Sequence, residues 1–126
     1  MARPGRLLDS PFGRFGPPVA LMGVIFFLSA QPDLNSGLGT IDLIGRKLIH
    51  ATEYAALCFL WWRALRTVAP RARALLLALA ITIGYACTDE IHQRGVHGRH
   101  GSPVDVAIDS AGALIAAGLI RSRWRA

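Results

Sequence analysis

Four long apolar runs fill most of this chain, and they constrain its fold more than any other feature. Each run is somewhat shorter than the roughly 20 residues that cross the hydrocarbon core of a bilayer, but flanking residues can complete a span. Charged residues make up only 17% of the sequence, against about a quarter in an ordinary soluble domain. The runs are Pro17 to Ala30, Leu48 to Trp62, Ala72 to Thr88 and Val104 to Ile120.

We therefore predict an all-α integral membrane bundle of about four transmembrane helices. Helices are favoured over open strands because every backbone polar group in lipid needs a partner within the protein. A chain of 126 residues has room for one such domain. The predicted domain covers residues 1–126, with spans at about 15–31, 46–63, 71–89 and 103–121.

The distribution of lysine and arginine predicts the orientation of these spans. Of the 14 basic residues, ten lie in the N-terminal tail, the C-terminal tail, and the second loop with its edges, whereas seven of the 8 acidic residues lie on the other side. Because basic loops tend to stay in the cytoplasm, we expect both termini to be cytoplasmic in a multi-pass protein of the bacterial cytoplasmic membrane. The arginines flank apolar runs, so we expect membrane lipids as partners and no nucleic acid.

This topology would bring polar side chains from three helices to the external face of the membrane. Ionisable residues within a span are costly and usually face a bundle interior or a watery cavity with a function. Residues three or four positions apart share a helix face, which groups the polar residues of each span into a stripe. The candidate site residues are Lys47, His50 and Tyr54 in the second span, Asp89, Glu90 and Gln93 at the end of the third, Arg99 in the last loop, and Asp105 and Asp109 in the fourth.

Several of these residues also have simpler explanations. Asp105 follows a Ser-Pro pair, so it could stabilise a helix N-terminus without belonging to a site. Lys47 and Arg99 could extend towards lipid headgroups, and His50 could be a hydrogen-bonded packing residue. Gly112 and the alanines after it are typical of close helix packing. The histidines that we expect in a solvated loop are His92, His97 and His100.

The polar motifs follow one another in a characteristic order and spacing along nearly the whole chain. They are Leu28-Ser29-Ala30-Gln31-Pro32, Lys47-x-x-His50-x-x-x-Tyr54-x-x-Leu57, Asp89-Glu90-x-x-Gln93, Gly98-Arg99, Ser102-x-x-Asp105 and Asp109-x-x-Gly112. This pattern resembles the VanZ-like family of bacterial membrane proteins, whose namesake is linked to glycopeptide (teicoplanin) resistance. The chain departs from the usual family pattern at Arg46 (commonly an acid), His97 (commonly proline) and Asp109 (commonly asparagine).

The resemblance implies a cell-envelope context and a link to antibiotic resistance, but no particular reaction. Our first hypothesis is an intramembrane lipid- or phosphate-directed hydrolase or transferase that binds an anionic envelope lipid or lipid-linked cell-wall precursor. Lys47 and Arg99 would bind an anionic group such as a phosphate, in a pocket also lined by Tyr54, Gln93 and Asp109. General acid or base chemistry would fall to His50, Asp89, Glu90 or Asp105.

A cofactor and a non-catalytic role both remain open at this point. A divalent cation is a candidate cofactor, because oxygen-rich sites suit magnesium or calcium, but the sequence indicates no particular metal ligands. The second hypothesis is an accessory or scaffold module that binds a lipid headgroup or a partner membrane protein. A transporter or proton relay is a weaker third hypothesis. No convincing Ser-His or Cys-His pair favours the enzyme over the module.

Overall fold

Four α-helices account for nearly all of the chain that the structure, a computed structural model, describes. The described residues are 10–29, 40–94 and 103–123. This architecture confirms the predicted all-α fold. The helices are α1 (Pro11–Ser29), α2 (Thr40–Leu65), α3 (Arg71–Arg94) and α4 (Pro103–Arg123).

Local sequence signals mark where two of the helices begin. Ser10 Oγ accepts a hydrogen bond from the backbone N–H of Gly13 at 3.0 Å, and Pro11 follows as the first helical residue, which is the usual N-cap arrangement. α4 likewise begins at Pro103 and carries an acid, Asp105, in its first turn. Both helices begin with a proline, whose missing N–H costs nothing at this position because the first N–H groups of a helix have no partner within it. Each start also has an oxygen group, on Ser10 or Asp105, that complements these exposed N–H donors.

Two helices extend beyond the predicted spans into polar segments. α2 begins at Thr40, ahead of the span predicted at 46–63, and α3 continues to Arg94 instead of ending at Asp89. An apolar run marks only the stretch that contacts lipid or the core. Backbone hydrogen bonding in a helix does not require apolar side chains and continues through polar residues. The polar residues at these two helix ends are therefore held on regular helical turns.

The helices alternate in direction. α2 and α4 run the same way, because Lys47 contacts Asp105 and, one turn further along α2 and two turns further along α4, Ala51 lies against Gly112. α1 runs opposite to α2, since Phe15 near its start meets a tryptophan ring near the end of α2 at 6.4 Å. A short turn joins α2 to α3, which makes these two helices antiparallel neighbours.

Small residues fill much of the interior where α2, α3 and α4 meet. Such residues allow helix backbones to approach closely, as in helix pairs within membranes. The closest approach is at Gly112, where an added Cβ would overlap the carbonyl group of Ala51 and lie 2.9 Å from its Cα. The buried alanines are Ala64, Ala74, Ala78, Ala86, Ala113, Ala116 and Ala117.

Large apolar side chains cover the outside of the bundle, whereas several polar groups are buried. Thr82, Asp89 and Asp109 are each no more than 3% exposed. This distribution reverses the usual one for a soluble protein, in which charged residues are almost never fully buried and large apolar patches are rare. Exposed side chains include Val24, Phe27, Ile49, Phe59, Leu76, Ile91, Ile115 and Leu119.

Two of the described helices, α1 and α3, are long and apolar enough to cross a membrane, judged by length and composition alone. A signal sequence or the core helix of a soluble protein can pass the same test, and α1 lies near the N-terminus. α2 and α4 also carry members of the polar stripes. The two apolar helices are consistent with a membrane protein.

A pair of arginines joins α1 to the end of α2. Arg14 Nη1 donates to the carbonyl oxygen of Arg63 at 3.0 Å, and Arg63 Nη1 donates to the carbonyl oxygen of Gly13 at 3.0 Å. Pro17 lies inside α1 and has no N–H to donate to the Gly13 carbonyl four residues earlier. Arg63 therefore supplies a donor that the helix itself lacks, and Arg14 satisfies a carbonyl in the last turn of α2.

Candidate functional site

Polar side chains from three helices meet at one end of the bundle, where α2 and α4 begin and α3 ends. We call these residues the polar cluster. Each is a candidate site residue from the sequence, and each lies on one of the predicted stripes. Their functional roles remain predictions. The members are Lys47, His50, Tyr54, Asp89, Asp105 and Asp109.

The outermost contact of the polar cluster is an ion pair between α2 and α4. Lys47 Nζ donates to Asp105 Oδ1 at 2.9 Å, and the two side chains are 32% and 28% exposed. The position of Asp105 in the first turn of α4 also suits the positive end of the helix dipole. Asp105 thus stabilises the start of α4 and also pairs with Lys47. The ammonium group of Lys47 bonds to a neighbouring helix while remaining accessible.

A buried hydrogen bond forms the inner layer of the polar cluster. Tyr54 Oη donates to Asp89 Oδ2 at 3.1 Å, and both residues are almost fully enclosed. The ring of Tyr85 lies 6.3 Å from that of Tyr54, and its hydroxyl donates to the carbonyl oxygen of Met22 at 2.5 Å. The two tyrosines therefore tie α3 to α2 and to α1, and they fix the position of the Asp89 carboxylate.

His50 and Asp109 complete the polar cluster between these layers. His50 Nδ1 lies 3.6 Å from Asp109 Oδ1, and the Asp109 side chain is only 4% exposed. One potential ligand atom from each of His50, Asp89 and Asp109 lies within 4.8 Å of the other two. This arrangement of one imidazole and two carboxylates, each from a different helix, has the composition of a metal-binding site.

Asp109 is buried, and it also has several other acids around it. Asp89, Asp105 and Glu53 all act on Asp109 with like charge, and Lys47 offsets part of their effect. Because charges interact more strongly in a poorly hydrated interior than in water, the described part of the site favours a bound positive charge.

The remaining predicted site residues are only partly described. Glu90 follows Asp89 in α3 and is half-buried, so it lies beside the polar cluster. Gln93 lies in α3, but its side chain, like the whole of Arg99, falls outside the described residues. The expectation of a solvated His92 was wrong, because this residue lies on α3, is half-buried, and stacks on Phe26 with ring centroids 4.1 Å apart.

Sequence reasoning missed the contribution of α1. Phe26 packs on His92, and the backbone of Met22 accepts a hydrogen bond from Tyr85. Every residue has a backbone carbonyl, so the type of residue does not show which carbonyl accepts a hydrogen bond. Phe26 stood within an apolar run, where nothing distinguished an aromatic residue that meets the site from one that faces lipid.

A scan against protein-family models identifies the pattern of motifs. The model of the VanZ/LLP1 family matches residues 18–124, which is most of the chain. The protein belongs to the VanZ/LLP1 family. The match includes every candidate site residue, and it confirms the resemblance drawn from the motifs. Searches of the curated proteins and of the solved structures found no significant match.

Two of the three departures from the usual VanZ-like pattern lie at or beside the polar cluster. Asp109 is at its buried centre, and Arg46 directly precedes Lys47 in α2. The third, His97, lies outside the described residues. The asparagine that is usual at position 109 would be neutral, so this VanZ-like chain carries an additional buried acid where it departs from the pattern.

An apolar groove of about 590 Å³ lies between α2 and α4, away from the polar cluster. Arg66 lies beside it, with its guanidinium carbon 4.8 Å from the ring centroid of Trp62. The lining of the groove is almost wholly apolar, and it includes no residue of the polar cluster. Its lining consists of Thr52, Ala55, Ala56, Phe59, Trp62, Ala116, Leu119, Ile120 and Arg123.

Proposed function

We propose that this VanZ-like protein crosses the bacterial cytoplasmic membrane four times, with both termini in the cytoplasm. Three observations support the proposal. The outside of the bundle is apolar while carboxylates are buried, the interior is packed with small residues, and two described helices are apolar enough to span. The arginines at the ends of α2 and α4 and at the start of α3 lie opposite the polar cluster, which the positive-inside rule favours.

Cysteine labelling of whole cells should report this topology. In a chain without Cys58 and Cys87, a cysteine placed at Arg66 should resist a membrane-impermeant maleimide until the membrane is permeabilised. A cysteine placed at Asn35 should react from outside, because the first loop is external in this topology. Labelling of position 66 in intact cells would overturn the orientation.

We further propose that the polar cluster binds the anionic headgroup of an envelope lipid or lipid-linked cell-wall precursor at the outer leaflet and acts on it. The observation that carries this proposal is the placement of an accessible ammonium, Lys47, beside the half-buried His50 and the buried Asp89 and Asp109. Lys47 offers a positive charge for a phosphate, while the imidazole and carboxylates offer groups that accept or release protons.

The groove between α2 and α4 supports a lipid as the substrate class. Its apolar wall suits an acyl chain, and both helices that form it also carry polar cluster residues. A link to glycopeptide resistance is part of the proposal through the family, because altered envelope lipids or precursors would change what such an antibiotic meets at the cell surface.

A non-catalytic recognition module is the second candidate function. The observation that favours it is the mutual pairing within the polar cluster, where Lys47 bonds to Asp105 and Tyr54 bonds to Asp89. Fixed pairs of this kind create a rigid polar surface that could recognise a headgroup or a partner membrane protein without any reaction.

Lys47→Gln should weaken binding of an anionic lipid by about tenfold or more. A hydrogen bond to a charged group contributes about 1.5–3 kcal/mol, and about 1.4 kcal/mol corresponds to a factor of ten. The measurement is retention of phosphatidylglycerol against phosphatidylcholine by the purified full chain in native mass spectrometry.

Arg121→Gln is the matched control, since it removes an exposed positive charge from the other end of the bundle. Lys47→Arg should retain much of the binding because it keeps the charge. Equal losses from Lys47→Gln and Arg121→Gln would show that lipid binding follows overall charge, and would contradict a headgroup site at the polar cluster.

A further inference from the structure

We propose that His50, Asp89 and Asp109 form a binding site for a divalent transition-metal ion inside the bundle. Each residue comes from a different helix, and their ligand atoms lie within 4.8 Å of one another. Two ligands that are each about 2.1 Å from a tetrahedral ion lie about 3.4 Å apart. The separation of 3.6 Å between His50 Nδ1 and Asp109 Oδ1 is already close to that spacing.

The burial of Asp109 is the second observation that points to a cation. Its side chain is 4% exposed, and among the described residues none donates a hydrogen bond to its Oδ1 atom. A buried carboxylate oxygen without a donor is disfavoured, and buried charges in proteins are paired or coordinate metals. The imidazole of His50 lies 3.6 Å from this oxygen and is itself one of the three proposed ligands.

The surroundings hold the three ligands in place, as outer-shell contacts do in known metal sites. Tyr54 donates to Asp89 Oδ2 at 3.1 Å, which orients that carboxylate within the bundle. The close contact of Gly112 with Ala51 sets the spacing of the helices that carry the other two ligands. Neither contact would have to break for an ion to bind.

The ligand set indicates the class of ion. One imidazole nitrogen with two carboxylate oxygens suits Zn²⁺ or Mn²⁺, whereas Mg²⁺ and Ca²⁺ prefer sites made only of oxygen. Three protein ligands leave at least one position open, as in catalytic and not in structural zinc sites. The metal site requires only these three side chains, so it does not depend on the proposed headgroup binding.

Metal binding by the purified full chain tests the assignment directly. After chelator treatment in detergent, the parent protein should rebind about one Zn²⁺ per chain, measured by plasma mass spectrometry after dialysis. Zn²⁺ should also raise its thermal unfolding temperature, because an ion that binds only the folded chain stabilises it. Mg²⁺ should produce a much smaller shift at the same concentration.

Removal of a ligand should abolish both effects. Asp109→Asn and His50→Gln should each weaken Zn²⁺ binding by more than the roughly 10- to 100-fold that loss of an outer-shell partner causes. Without metal, both variants should unfold near the temperature of the parent. The matched controls are His92→Gln, on α3 but outside the ligand set, and Asp9→Asn in the N-terminal tail, which should both bind Zn²⁺ within about threefold of the parent.

Two results would overturn the proposal. One is a parent protein that neither retains Zn²⁺ or Mn²⁺ nor is stabilised by them, which would leave His50 and Asp109 as a simple ion pair. The other is equal loss of binding in the ligand variants and the controls, which would indicate non-specific binding to surface groups. Lipid retention is a separate measurement, so failure of the metal site and failure of the headgroup site are distinguishable.

Discussion

Gly112→Val should prevent α4 from packing on α2, and little folded protein should be recovered. An added Cβ at this position meets the backbone carbonyl of Ala51, and a backbone atom cannot turn aside as a side chain can. Overpacking of a core typically costs about 1–3 kcal/mol, and a clash with backbone should exceed that range. Separation of the helices would also part His50 from Asp109.

The recovery of monodisperse protein from detergent extracts, followed by its thermal unfolding, measures this effect. Gly118→Val is the matched control, because a Cβ at Gly118 on the same helix meets nothing within 4 Å. Gly112→Ala should fall between the two in recovery. If Gly112→Val behaves like Gly118→Val, then the close approach of α2 and α4 is not a requirement of the fold.

Asp89→Asn should abolish function while the protein accumulates at its normal level. The amide has nearly the size of the carboxylate, and its oxygen can still accept the hydrogen bond from Tyr54. The lost property is a negative charge that both proton transfer and cation binding would use. Burial of a charge is costly, and asparagine removes that cost while keeping the hydrogen bond. We therefore expect the variant to lose function without losing its fold.

The readout is the lipoglycopeptide tolerance of a strain that depends on this protein, with protein level measured in parallel. Asp9→Asn makes the same chemical change in the N-terminal tail and should leave tolerance unchanged. Full tolerance with Asp89→Asn would remove the case for catalysis and favour the recognition module. Lost tolerance with unchanged retention of phosphatidylglycerol would instead support a reaction at the polar cluster.

The sequence predicted the all-helical fold well, for an identifiable reason. Long apolar runs with few charges indicate helices whatever their exact ends. Helical spacing alone placed Lys47, His50 and Tyr54 on one face, and the structure keeps them together at one end of the bundle. The helix bounds were less predictable, because α2 and α3 continue through polar residues beyond the apolar runs.

Contacts between helices were the part that no pattern within one helix could predict. The stripes on α2 and α4 meet because Gly112 allows a close approach to Ala51. This approach depends on how the surfaces of the two helices fit together. The presence of a histidine does not indicate whether its side chain faces water or an aromatic ring. For this reason His92 was wrongly predicted to be solvated. Asp109 was predicted to bind substrate, but only the fold shows that it is buried next to His50.

The arginine contacts between α1 and α2 bear on how the chain is assembled during synthesis. Arg63 is 50 residues further along the chain than the Gly13 carbonyl to which it donates, so the ribosome completes α1 well before that donor exists. Until then the carbonyl opposite Pro17 must rely on water or another temporary donor. The Gly13 carbonyl consequently gains its final donor only when α2 is present, so this part of α1 is completed as one half of a helical hairpin.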